Sequence, residues 1–455
     1  MQGPDKHPAS YRDPAGFVFY NEGVIYRQVN QAYQADYNEL MQSGLYEHLV
    51  SKRFLIPHHH LDQNLNQSVD CFATIQPEYI PFISYPYEWC FDMWKDAALL
   101  TLEIATTSIQ YGMMLKDASA YNIAWHKGRL IHIDTLSFEK YDPSKPWIAY
   151  KQFCEHFLVP LALMHFLKVP LQSLFLGFPD GIPLSIASKM LPFKSKLNLH
   201  NYLHLHLHAN SQQKSIKKGV PTDFSVHKMS NILSSLRTAI NSFHFNDHTG
   251  VWSDYYHEAA MREDYLDVKK QIITNCIEKM PVRSAIDLGA NEGAFSELLA
   301  LHNISVVCVD FDHYSINRIY KKIKLQNQNS LLPLVMDLSN PSPSIGLNNK
   351  ERASFIERIQ MDLVMALALI HHLAIGKNIP FEDIAQLFHS LGKKLIVEFI
   401  PKSDVKVQVM LQHKKDIYHW YNETSFLKAF SKCYTTNEVI EVNQTGRKLF
   451  VMESK

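Results

Sequence analysis

The sequence predicts an α/β fold with a parallel sheet in its C-terminal part, preceded by an α+β part of different build. Two observations carry this. Beyond Ser284, short apolar runs alternate with amphipathic stretches, the pattern of βαβ units. Before residue 210 the apolar runs come instead as hairpins separated by helices. A chain of 455 residues is also long for one hydrophobic core, so two domains are expected. We place them at residues 1–208 and 255–455, with a linker and connector helix over 209–254, where Ser, Gln, Lys and Asn dominate.

Taken in order, Phe17 to Tyr20 and Val24 to Arg27 are β-prone runs around the turn Asn21-Glu22-Gly23, a hairpin. Leu40, Leu45 and Leu49 recur at helical spacing between Tyr33 and Val50, and the histidines at 58, 59 and 60 after Pro57 read as loop. Ile80 to Tyr85 reads as a strand, stopped by Pro86, and Met93 to Gln110 as a helix. Ile123 to Trp125 and Leu130 to Ile133 make a second hairpin, turning at Lys127-Gly128. The most apolar stretch, Phe157 to Phe178, is interrupted by Pro160, Lys168 and Pro170, so it reads as buried core helix and not as a bilayer span, which needs about 20 mostly apolar residues. His204, His206 and His208 alternate with leucines as they would on one face of a strand, with no carboxylate or cysteine nearby to complete a metal site. In the second part, strands are expected at Ala285 to Leu288, Val306 to Val309, Leu334 to Asp337, Leu363 to Leu369 and Leu395 to Phe399, with Val439 to Val442 and Lys448 to Met452 as a closing antiparallel hairpin.

Composition narrows the class. The 45 basic and 45 acidic side chains cancel without a block of like charge, so neither nucleic acid nor an anionic membrane surface is suggested as a partner. Six scattered cysteines fit a reducing, cytoplasmic setting better than a disulfide framework or a zinc ribbon. The start Met1-Gln2-Gly3-Pro4-Asp5 lacks a secretory pattern, and the chain is expected to begin where the protein begins.

The chemistry concentrates in Ser284-Ala285-Ile286-Asp287-Leu288-Gly289-Ala290-Asn291-Glu292-Gly293-Ala294-Phe295. An acid and two glycines stand between an apolar strand and a helix, where backbone can turn sharply and approach a ligand. The next strand ends in Asp310, a carboxylate placed to receive paired ribose hydroxyls. This arrangement resembles the class I S-adenosylmethionine-dependent methyltransferases, with their Rossmann-like sheet. The resemblance implies that Gly289 and neighbouring amides, including Asn291, contact the methionine portion, together with Gly293. It further implies that Asp287 holds the amino group, that Asp310 takes the ribose and that Asp337 flanks the adenine. It places His371 and His372 toward the substrate as candidate bases, with Glu398 as a second candidate on the same sheet edge. No resident metal is expected.

In the first part, Asp117, Asn122 five positions on, and Asp134 closing the following hairpin could form one acidic cluster of the kind phosphoryl transfer needs. The segment resembles the catalytic loop of kinase-like and aminoglycoside-phosphotransferase-like families, which implies a Mg-ATP site. No Gly-rich phosphate loop precedes Val24 to Val29, Arg27 stands where lysine is expected and would pair a helix carboxylate such as Glu39, and Lys116 stands where histidine or arginine is usual. The alternative is that these acids cap loops. The combined layout resembles a group of bacterial proteins that includes a nodulation-associated methyltransferase. The expected function is methyl transfer to O or N of a small-molecule or glycan acceptor, with the N-terminal part in recognition. The alternatives are a bifunctional kinase-methyltransferase and a non-catalytic binding protein with remnant pockets.

Overall fold

A computed structural model describes residues 5–207, 224–245, 263–412, 414–443 and 445–455. The chain forms two compact units, Met1–Asn246 with Ser344–Ala353, and Asp247–Pro343 with Ser354–Lys455.

The first unit is built on strands β1 (Asp5–Lys6), β2 (Gly16–Asn21), β3 (Val24–Asn30), β4 (His58–Leu61) and β5 (Cys71–Pro77), in the order β1-β2-β3-β5-β4 and antiparallel throughout. The expected β2/β3 hairpin turns at Glu22 and Gly23, both at positive φ (51° and 78°), which matches the twist of the flanking strands. Two expectations are corrected. His58 to His60 are strand β4 and not loop, and the strand expected at Ile80 to Tyr85 lies earlier, at β5. Pro81 sits inside the expected run and has no N–H for a ladder, whereas Ala73, Thr74 and Ile75 of β5 are buried between two partner strands. The helix expected over Tyr33 to Val50 is broken at Gly44 (φ 81°) into Gln34–Gln42 and Leu45–Ser51.

Helix Phe91–Gln110 follows as expected, then the pair β6 (Met113–Leu115) with β9 (Phe138–Lys140), and between them the hairpin β7 (Ile123–His126) and β8 (Arg129–His132) turning at Lys127 and Gly128. The apolar stretch from Phe157 is a π turn, Cys154–Leu158, leading into helix Val159–Leu167, which buries Leu161, Leu163 and Met164. His204 and His206 lie on a π turn, Tyr202–Leu207, and not on a strand, while His208 falls outside the described residues. Both rings are tied locally: His204 bonds Tyr150 and Ser235, and His206 bonds Ser195. Much of 209–254 also lies outside the described residues. Its helix Val226–Ser242 buries Met229, Leu233 and Leu236 and bonds Glu103 and Lys95 of the first unit, so it is core and not connector.

Among the described residues the second unit carries seven strands: β10 (Ser284–Leu288), β11 (Ser305–Asp310), β12 (Leu331–Val335), β13 (Met361–Ala366), β14 (Gly392–Phe399), β15 (Tyr434–Glu441) and β16 (Lys448–Ser454). Their order is β12-β11-β10-β13-β14-β16-β15, parallel except where β16 runs antiparallel to β14 and β15. The parallel sheet with a terminal antiparallel hairpin is therefore present. Strands β10 to β14 read as apolar runs because helices cover both faces of such a sheet. Strand order reverses between β10 and β13, so the crevice at their carboxyl ends is the switch point where open α/β sheets bind ligands. Among the described residues no helix is long and apolar enough to cross a membrane.

Candidate active site

At this switch point the chain leaves β10 through Gly289 (φ 75°), Asn291 (φ 48°) and Gly293 (φ 82°) before helix Ala294–Leu301. A Cβ on Gly289 would stand 3.4 Å from Leu369 Cδ1, the loop after β13, and one on Gly293 3.2 Å from Ile319. The glycines thus serve both a left-handed backbone and a close approach. The turn satisfies its own amides. Gly289 and Ala290 donate to Val309 O at 2.8 and 3.0 Å, Asn291 to Asp310 Oδ2 at 2.9 Å, and Gly293 to Ala290 O at 2.8 Å. These bonds occupy the amides of Gly289, Ala290, Asn291 and Gly293 within the turn itself.

Register sets Leu288 against Val309, so Asp310 lies level with the turn. Its carboxylate also accepts the Asp312 amide at 2.9 Å, and burial pushes its pKa up to about 6 against those two donors. Asp287 is buried beneath the turn, accepts the Ser296 hydroxyl at 2.6 Å, and burial pushes it up to about 7. Two buried carboxyls thus stand above their ordinary range on neighbouring strand ends. Asp312 accepts the Ser315 hydroxyl at 2.7 Å and orders the start of helix His313–Gln326. Asp337 lies two residues past β12 and bonds Ser339 and Lys377; these hold its carboxyl low despite partial burial.

After β13, Ala368 takes φ 50° and donates its amide to Glu398 Oε2 at 2.8 Å. Glu398 has no exposed surface and also receives Lys269 Nζ at 2.5 Å and Tyr265 Oη at 2.7 Å. Burial opposes its ionisation, but Lys269, Arg447 and Tyr265 outweigh it and hold it below the usual carboxylate range. Arg447 continues the network to Asp404 at 2.8 Å. A carboxylate enclosed by three donors cannot serve as a proton acceptor for substrate; Glu398 instead fixes the loop that carries the histidines. His371 is 1% exposed and its Nδ1 is buried without a hydrogen-bond partner. Its ring centroid lies 4.1 Å from that of His372. Burial drives His371 well below its ordinary pKa and His372 to about 4, so both are neutral and neither titrates near pH 7, contrary to the expectation of a base near its pKa.

In the first unit, the structure brings Asp117, Asn122 and Asp134 together and adds Arg27. Asn122 donates to Ser137, which donates to Asp134 at 2.7 Å, and Arg27 bridges Asp134 at 2.7 Å and Asp13 at 3.4 Å. Arg27 therefore pairs Asp134 and not Glu39. Burial raises the Asp117 carboxyl, reinforced by Asp134, while Gln152 and the Ser119 amide bond it. Lys116 lies over the Tyr33 ring. Mg-ATP does not fit this cluster, because a guanidinium already stands on the carboxylate that a divalent cation would need. Among the described residues no group of three or more His, Cys, Asp or Glu could hold a metal ion.

No protein-family model matches the chain. It is 32% identical over 451 residues to nodulation protein NoeA of Rhizobium meliloti (strain 1021), covering 94% of this chain and 92% of that protein. The chain belongs to the NoeA family. Likenesses of this NoeA-family chain to solved structures are partial. The bifunctional kinase-methyltransferase WbdD matches 43% of this chain and 39% of its own at 16% identity and a TM-score of 0.28. Magnesium protoporphyrin IX methyltransferase (ChlM) from Synechocystis PCC 6803 with bound SAH matches 43% and 87% at 15% identity and 0.31. PH0226 protein from Pyrococcus horikoshii OT3 matches 44% and 99% at 16% identity and 0.32.

Several residues of the NoeA-family site carry no local sequence signal. Ser296 and Lys269 sit among helical residues with nothing to mark them, and Lys269 meets its partner across 129 positions. The Asp404–Arg447 pair likewise joins residues 43 positions apart.

Proposed function

We propose that the second unit transfers a methyl group from S-adenosylmethionine to an oxygen or nitrogen of a small-molecule or glycan acceptor, and that the first unit serves recognition of that acceptor. The observation that carries this reading is the juxtaposition, at the switch point of a parallel sheet, of a left-handed glycine turn with two buried carboxyls of raised pKa. When bound, S-adenosylmethionine supplies an electrophilic methyl group on a sulfonium centre. Asp310 would hold the ribose hydroxyls, having lone pairs beyond those given to Asn291 and Asp312, and Asp287 would balance the amino group. Asn291 would line the turn, with its side chain oriented by Ser315 at 3.3 Å. Asp337 would flank the base.

His372 is the proton acceptor we favour over His371, because it is the less enclosed ring. A base of pKa about 4 suits an oxygen acceptor, whose proton becomes strongly acidic as the C–O bond forms, better than an amine. Arg27 on Asp134 favours recognition over phosphoryl transfer in the first unit.

Titration calorimetry tests the reading. S-adenosylmethionine is expected to bind, and Asp310→Ala to weaken binding about tenfold to hundredfold, the loss of charge-assisted hydrogen bonds. A cationic ligand favours ionised Asp287 and Asp310, so binding between pH 6 and 7 should release protons and its heat should depend on the buffer. No binding, or unchanged affinity in the variant, would sink the proposal.

A further inference from the structure

Between Asp180 and Asp223 the sequence holds no acidic residue but six lysines, Lys189, Lys194, Lys196, Lys214, Lys217 and Lys218, in a chain whose net charge is zero. Composition does not reveal this, because the lysines are spread out and form no run. The described part of the segment is a compact set of short helical turns: Leu184–Met190, Phe193–Lys196, Leu199–Asn201 and Tyr202–Leu207. They bury Leu184, Ala187, Leu191, Ser195 and Leu205 inward. Other large apolar side chains of the same segment are exposed. Phe193 and Leu197 are each 73% exposed and Leu199 66%, and Ile186, Met190 and Leu207 are exposed as well. Lys189, Lys194 and Lys196 are exposed among these side chains, Lys196 lying over the Phe193 ring at 5.9 Å. No acidic partner engages the three lysines among the described residues.

Isolated exposed apolar residues need no explanation, but several large ones within one short folded segment mark an interaction surface. We propose that residues 184–207 form a docking surface for an anionic lipid bilayer. Its aliphatic and aromatic side chains would enter the acyl boundary, and its lysines would meet acidic headgroups. The charge complement of a segment with three exposed lysines and no acidic residue is an anionic partner. Exposed Leu, Ile, Met and Phe then select a membrane over a nucleic acid, which offers phosphates and base edges but no hydrocarbon to receive them. This attachment would be peripheral, in keeping with the lack of a spanning helix among the described residues.

Co-sedimentation of the full chain with vesicles tests this. Binding is expected to phosphatidylcholine vesicles that contain phosphatidylserine, and to be much weaker with phosphatidylcholine alone or at high salt. The variant K189Q/K194Q/K196Q should lose about a hundredfold, roughly fivefold per lysine. Phe193→Ser with Leu197→Ser and Leu199→Ser should lose about tenfold or more while keeping the lysines. Each variant should melt as the parent does, since the substituted side chains are exposed. Three outcomes would overturn the proposal: equal or no sedimentation with both vesicles, binding that survives the serine substitutions or is matched by a DNA duplex, and a drop in oligomer mass in the serine variant, which would make the surface a contact between copies of the chain.

Discussion

At the scale of single residues, the site is defined by two carboxyls that burial makes reluctant to ionise. For Asp287 the folded pKa of about 7 lies above its ordinary value of 3.8. The folded state holds this proton where the unfolded state has released it, so the contribution is fully present below about pH 4 and is lost as pH rises through 7. Asp287→Asn keeps a group for Ser296 to bond but cannot ionise. Its stability relative to the parent should therefore climb between pH 4 and 7 and level off above, by a few kcal/mol at about 1.4 kcal/mol per pH unit. Melting temperatures across that range check this; a difference that does not change with pH would show that Asp287 is not the titrating group. The acids and glycines were legible because Asp287, Gly289, Gly293 and Asp310 fall within one strand-turn-helix-strand window. The charge state of His371 and His372 was not, since it depends on enclosure by residues distant in sequence.

At the scale of elements, the parallel strands were legible and the antiparallel sheet was less so. Strands covered on both faces must be apolar along their whole length, whereas β4 is a half-exposed edge whose three histidines look like loop. The helix Glu263–Glu278 shows the same limit from the other side: its Lys269 meets Glu398 of β14 in a bridge with both side chains buried (4% and 0% exposed), and nothing within the helix marks that lysine as internal. Removing one partner of such a pair leaves an uncompensated buried charge, so Lys269→Met should cost about 3–5 kcal/mol. Lys269→Met combined with Glu398→Gln should cost less, because no charge is then stranded. Hydrogen exchange at the β14 amides measures both; equal costs would mean that the charge itself is unimportant and only its packing matters.

At the scale of the whole molecule, each unit has its own core, and the first unit is assembled from two separate stretches of chain. The short stretch Ser344–Ala353 supplies Glu351, which accepts from Tyr11 at 3.2 Å and Arg12 at 3.1 Å, and Arg352, whose guanidinium lies 4.4 Å over the Tyr121 ring next to Asn122. A fragment ending at residue 246 lacks these partners and should melt below the first unit of the intact chain, which differential scanning calorimetry can resolve. An unchanged melting temperature would make the stretch ornamental. Sequence gave no hint of this, since an insertion between β12 and β13 reads as a loop of its own domain.

That discontinuity sets an order of events at the ribosome. Residues 1–246 leave the exit tunnel roughly a hundred positions before Glu351 and Arg352 do, so the nascent first unit must persist in an incomplete form while β10, β11 and β12 are translated. It can close around its final stretch only after three strands of the other core have emerged. Codon usage or a translational pause between β12 and β13 would therefore act on the maturation of a unit most of whose residues were translated long before.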